Sequence, residues 1–255
     1  MKRIFSICLI SLTALILLSC HGGKNKGTMS FSLEGQLENA SGKTIYIEEM
    51  TPDNGPQFLD SIVCDKNGHF KYKGSMNYQT FFNLHTSEYD YIVLLPQDDE
   101  KIQLTGDASN LSVNYHVEGS PESQLMWQIM SYVNDANLAI TDIVARDRKN
   151  RETLNETEYQ KAHDVTDSMF IAERTSVYLM FYNFIEDNLG SLSTLYAIDA
   201  PFNHSMRVFY AEGDFEVFEM VLEGLEQENP NNPHTQYYRT RVERARSARL
   251  MSQQQ

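Results

Sequence analysis

Over residues 29–117, apolar and polar positions alternate in short segments separated by Gly, Pro, Asn and Asp. That pattern belongs to strands with one face on a core. Phe31, Leu33, Gly35 and Leu37 share a face of the first segment, and Gly42 with Lys43 turns the chain into a second at 44–47. Residues 52–56, Pro-Asp-Asn-Gly-Pro, have the composition of a loop. A strand at 58–64 follows, and Asp65-Lys66-Asn67-Gly68 supplies the turn of a hairpin into 69–72. Segments 89–95, 101–105 and 113–117 complete the strands, and the expected closure is an antiparallel β-sandwich or a partly open barrel.

At Gly119-Ser120-Pro121-Glu122 the period changes to that of a helix, with Ser120 as cap and Pro121 at the first helical position. Leu125, Ile129, Val133, Ala136 and Ile140 then fall on one face, before the pattern fades into the charged residues 146–152. Asn155 and Glu158 open a second helix that should reach Asn188, with Gly190 as its stop. Its segment 177–185 is apolar almost all round, as expected of the buried centre of a small bundle. Shorter helices are expected at 191–198, 206–211 and 215–227, and a last one carries 237–250. The fold class is therefore α+β, with a β domain over 29–118 that folds by itself and a helical domain over 119–255.

Ahead of the first strand, Lys2 and Arg3 precede an apolar run that ends in Leu17-Leu18-Ser19-Cys20. The run is shorter than the roughly 20 residues needed to span hydrocarbon, and it reads as a bacterial lipoprotein signal. Residues 1–19 are then a cleaved signal peptide, Cys20 carries the lipid, with acyl groups such as palmitate, and 20–28 form a tether. This makes the membrane the first partner and the cell envelope the location. The periplasmic face is expected, because His21-Gly22-Gly23-Lys24 lacks the acidic residues some surface-exported lipoproteins carry there.

A net charge of −14 disfavours nucleic acid as a partner. Cys8 leaves with the signal and Cys20 is taken by lipid, so Cys64 remains without a disulfide partner. No His-Glu-x-x-His, Gly-x-Ser-x-Gly, phosphate loop or dinucleotide fingerprint is present, and no catalytic, cofactor or metal residue is nominated. Asp98-Asp99-Glu100 reads as a solvated turn, and Phe81, Phe82, Tyr89 and Tyr91 read as core before stacking surface. Glu216, Glu219, Glu223 and Glu226 crowd one helix, while Arg239, Arg241, Arg244, Arg246 and Arg249 crowd the next. The favoured expectation pairs them across an antiparallel turn; the alternative leaves Arg239, Arg246 and Arg249 as a docking face for anionic headgroups or an acidic partner.

The order Leu33-Glu34-Gly35, Gly42-Lys43-Thr44-Ile45-Tyr46-Ile47, Leu59-Asp60-Ser61, Asn67-Gly68-His69-Phe70-Lys71-Tyr72-Lys73-Gly74 and Val117-Glu118-Gly119-Ser120 resembles the domain of unknown function 4369. In lipoproteins of that kind the domain precedes a helical spacer and a thioredoxin-like, thiol-disulfide-exchange domain. Residues from Glu122 onward are similar to the spacer. No Cys-x-x-Cys pair follows before Gln255, so the resemblance implies architecture and not redox activity. The expected function is a non-catalytic, lipid-anchored binding or scaffold module. Its alternative is an accessory subunit whose thioredoxin-like partner is a separate chain.

Overall fold

Eight strands form two open, four-stranded sheets in the computed structural model, which describes residues 28–87, 90–203 and 205–252. The expected signal peptide and Cys20 lie outside the described residues, as does Tyr89. The strands are β1 (Met29–Glu38), β2 (Thr44–Thr51), β3 (Gly55–Val63), β4 (His69–Met76), β5 (Phe81–Ser87), β6 (Asp90–Leu94), β7 (Glu100–Asp107) and β8 (Tyr115–Glu118). One sheet runs β4-β1-β7-β8 and the other β3-β2-β5-β6. Every pair is antiparallel except β1 with β7, which run parallel with Leu33 opposite Ile102.

Alternation along the strands sends Leu33, Ile45, Ile47, Phe82, Leu84, Ile92, Leu94, Ile102 and Leu104 into a core shared by the two sheets. Gly35 lies on the apolar side of β1 because the Phe70 ring crosses it: a Cβ there would sit 2.0 Å from the ring. Trp127 and Met130, from the first helix, pack against this core, and Trp127 Nε1 donates to the Tyr115 carbonyl at 2.8 Å.

The helices are α1 (Pro121–Thr153), α2 (Glu156–Asp187), α3 (Thr194–Ile198), α4 (Phe215–Glu228) and α5 (Pro233–Ser252). Ser120 and Asn155 cap α1 and α2, their side-chain oxygens accepting from the Ser123 and Glu158 amides. Met126, Ile129, Ala136 and Ile140 form the buried stripe of α1 and cluster with Val177, Phe181, Phe184 and Ile185 of α2. A second core joins these residues to Phe81, Val93 and Leu95 of the β part. One end of the β3-β2-β5-β6 sheet is thus buried on both faces, and the helices complete the β domain.

Several sequence expectations need correction. β5 escaped notice because Phe81 and Phe82 are both buried, one in each core, which erases the alternation. The 65–68 turn forms, with Gly68 at φ 79° and Asp65 Oδ1 accepting from the Asn67 and His69 amides. It joins β3 and β4, which belong to different sheets, so it is a corner and not a hairpin. Residues 52–54 form the tip of a β2–β3 hairpin, and Pro56 is tolerated in β3 because that strand is an edge. α1 continues through 146–152, where Asp147 accepts hydrogen bonds from His163 and Thr166 of α2. Residues 206–211 are not helical and instead close a bridge between Pro201 and Arg207. In 177–185, Leu179 is exposed, so the segment buries one side only.

Candidate functional site

A cleft of about 440 Å³ opens where the outer face of the β3-β2-β5-β6 sheet meets the helices. Met50 and Phe81 stand opposite each other on β2 and β5 and form its floor. Ile129 and Val133, one turn apart on α1, form one wall, and Leu195 and Tyr196 of α3 another. α5 turns His234, Tyr238 and Arg241 into it, at the four- and seven-residue spacing of a single helix face.

Among its polar side chains, His234 and Arg241 are tied to neighbours. Thr80 Oγ1 donates to the Met50 carbonyl at 3.0 Å, which spends its one proton. His234 Nε2, 2.9 Å from the same oxygen, must therefore donate, and Nδ1 is left as an acceptor. Burial holds His234 down to about 4, so the ring is neutral at physiological pH. Asn232 secures the start of α5: its Oδ1 accepts from the His234 amide at 2.9 Å and its Nδ2 donates to the Gln79 carbonyl at 2.8 Å.

At the charged end, Arg241 donates to both carboxylate oxygens of Asp199, one contact being 2.6 Å. Asp199 also accepts from Arg207 at 2.7 Å. A second groove, of about 740 Å³, shares Thr51, Pro52, Tyr237 and Arg241 with the cleft and continues along Tyr78, Gln236, Thr240 and Arg244. Arg244 has no ion-pair or hydrogen-bond partner among the described residues.

Arg239, Arg246 and Arg249 face α4. Arg239 bonds Glu226 at 2.5 Å, Arg246 bonds Glu219 at 2.9 Å, and Arg249 lies 4.8 Å over the Phe215 ring while donating to the Glu212 carbonyl. Phe81 and Phe82 are buried, whereas Tyr91 is exposed at the cleft rim. Asp98 accepts from the Ser30 amide and ties this turn to β1, while Glu100 accepts from the Gln97 amide within the turn. Cys64 is buried, and burial with nearby Asp65 pushes its thiol above the ordinary value. Among the described residues, no three His, Cys, Asp or Glu side chains are grouped to hold a metal, and no helix is long and apolar enough to cross a membrane. The sequence reading missed His234, Asp199 and Arg241 as a group; the 234, 238, 241 spacing was the one local signal for part of it.

An open two-sheet domain followed by helices defines an α+β protein. Residues 31–126 match the family model described as domain of unknown function (DUF4369), and this part of the chain is a domain of that family. The match ends within α1 and so takes in the Ser120 cap, Ser123 and Met126. Comparison with curated proteins finds no match. Among solved structures, the chain is similar to the crystal structure of the cytotoxin suilysin from Streptococcus suis, at 16% identity over 36% of this chain and 23% of that one. The TM-score is 0.19, and the likeness carries no argument about fold or function.

Proposed function

We propose that the protein is a non-catalytic, lipid-anchored binding module of the bacterial cell envelope, which holds a small, largely apolar ligand between its sheet and its helices. The observation that carries this reading is the cleft of about 440 Å³, walled by both parts of the chain. Ligand sites are concave, mostly apolar and roughly 300–1,000 Å³, with a few fixed polar groups. The anchor rests on residues 17–20 and on the short apolar run before them.

The test uses the chain from residue 20 with Cys20→Ser and measures binding of dodecanol, an uncharged apolar probe, by calorimetry. Val133→Phe and Leu195→Trp, which fill the cleft from two sides, should each abolish the heat while keeping a cooperative melt. Absence of wild-type binding, or binding indifferent to both variants, removes the reading. For the anchor, Cys20→Ala should lose incorporation of a clickable fatty acid in cells.

Resemblance to the N-terminal part of thioredoxin-like lipoproteins favours a second reading, an accessory role toward a separate thioredoxin-like chain. Buried Cys64 is poorly placed to exchange, so both reacting thiols would come from that partner. Co-purification with a thiol-trapping variant of the partner separates the two readings.

A further inference from the structure

We infer that the ligand is an anionic amphiphile, whose single apolar chain lies in the cleft and whose oxyanion head is held by Arg244 in the adjoining groove. The inference rests on the cleft being the binding site, and it adds the chemistry of the ligand's polar end.

α5 is charged on two opposite sides. Arg239 and Arg246, seven residues apart, occupy the side that faces α4, where Glu226 and Glu219 match them. Tyr237, Arg241 and Arg244 occupy the other side and line the groove. There the cations outnumber the carboxylates. Asp199 is shared by Arg207 and Arg241, so one carboxylate answers two guanidinium groups. Asp53 is the one acid among the groove-lining residues, and it makes no ion pair with Arg244. Among the residues lining the groove, Arg241 and Arg244 stand against Asp53, and because Arg241 is engaged by Asp199, Arg244 is the groove-lining guanidinium without a partner among the described residues, on a chain of net charge −14.

The order along the surface is apolar and then cationic. Phe81, Ile129, Val133 and Leu195 line the cleft, Tyr237 and Arg241 lie where it meets the groove, and Arg244 lies beyond. A ligand spanning both must be apolar at one end and negative at the other. A guanidinium fork bonds a carboxylate or a phosphate in two places, so either oxyanion satisfies Arg244. Arg244 is exposed, which makes this contact sensitive to salt.

The experiment compares dodecanoate, dodecyl phosphate and dodecanol by calorimetry on the chain from residue 20 with Cys20→Ser, at low and physiological salt. At least one oxyanion should bind roughly fivefold tighter than dodecanol at low salt, as an exposed ion pair allows, and the advantage should shrink as salt rises. Whichever oxyanion gains more identifies the head as carboxylate or phosphate. Arg244→Gln should remove the advantage and leave dodecanol unchanged, Arg244→Lys should keep part of it, and Leu195→Trp should weaken all three probes. If dodecanol binds in the cleft but neither oxyanion binds tighter, or Arg244→Gln changes nothing, the head-group assignment is overturned while the binding-module reading stands. If no probe binds the wild type, both fail.

Discussion

The backbone N–H of Leu95 donates to Ser123 Oγ at 3.0 Å, so the end of β6 is held by the first turn of α1. Ser120 Oγ donates to the same hydroxyl at 2.8 Å, and both serines are fully buried. Ser123→Ala leaves the Leu95 amide buried without an acceptor, at a cost of about 1–3 kcal/mol. Urea melts of wild type and variant should show that loss in a single transition. An unchanged midpoint would mean that water replaces the hydroxyl.

Residues 29–118 expressed alone leave Phe81, Val93 and Leu95 without the helices that cover them. This fragment is expected to bind an apolar dye and to melt less cooperatively than the full chain. A cooperative melt at the full chain's midpoint would show that the second core adds nothing to the sheets.

His234 is held down from 6.5 to about 4 by burial. Between those values the unfolded chain binds the proton and the folded chain does not, so stability rises with pH. The contribution is complete above about 6.5 and is lost as pH falls toward 4, by about 3 kcal/mol over the whole window. His234→Gln removes the titration, so unfolding free energies at pH 7 and 4.5 should differ less in the variant than in the wild type. Equal differences would place the proton uptake elsewhere.

His163 Nδ1 lies 2.8 Å from Asp147 Oδ1, and that hydrogen bond raises the imidazole and lowers the carboxyl. The raised histidine stabilises below its unfolded value and loses its effect as pH rises through the folded one. The lowered aspartate stabilises above its unfolded value and loses its effect as pH falls through the folded one. This end of the α1–α2 hairpin is therefore held best in mildly acidic solution. An NMR titration should place the His163 midpoint above 6.5, and Asp147→Asn should bring it down. A midpoint indifferent to that substitution contradicts the assignment.

Arg239, Arg246 and Arg249 are engaged by α4 and the Glu212 carbonyl, and pairs this exposed contribute about 0–1 kcal/mol each. Changing all three to Gln should lower the melt slightly and leave sedimentation with anionic liposomes at physiological salt as it is in the wild type. Wild-type sedimentation that the triple variant loses would establish a docking face.

Local chemistry determined much of this protein. Alternation marked seven of the eight strands, Ser120-Pro121 and Asn155 announced the helix starts, and opposite charges on neighbouring helices foretold the pairing of Arg239 and Arg246 with Glu226 and Glu219. Each signal lies within a few residues of the feature it sets, because caps and turns involve near neighbours and a strand's period is its own. Tertiary structure alone decided that β1 pairs parallel with β7, that β3 and β4 part into different sheets, and that the start of β5 is buried on both faces. It also decided the cleft, which draws Met50, Phe81, Ile129, Leu195 and Arg241 from five distant segments. No local period records such a meeting, since the free energy that makes it comes from apolar surface buried between elements already formed.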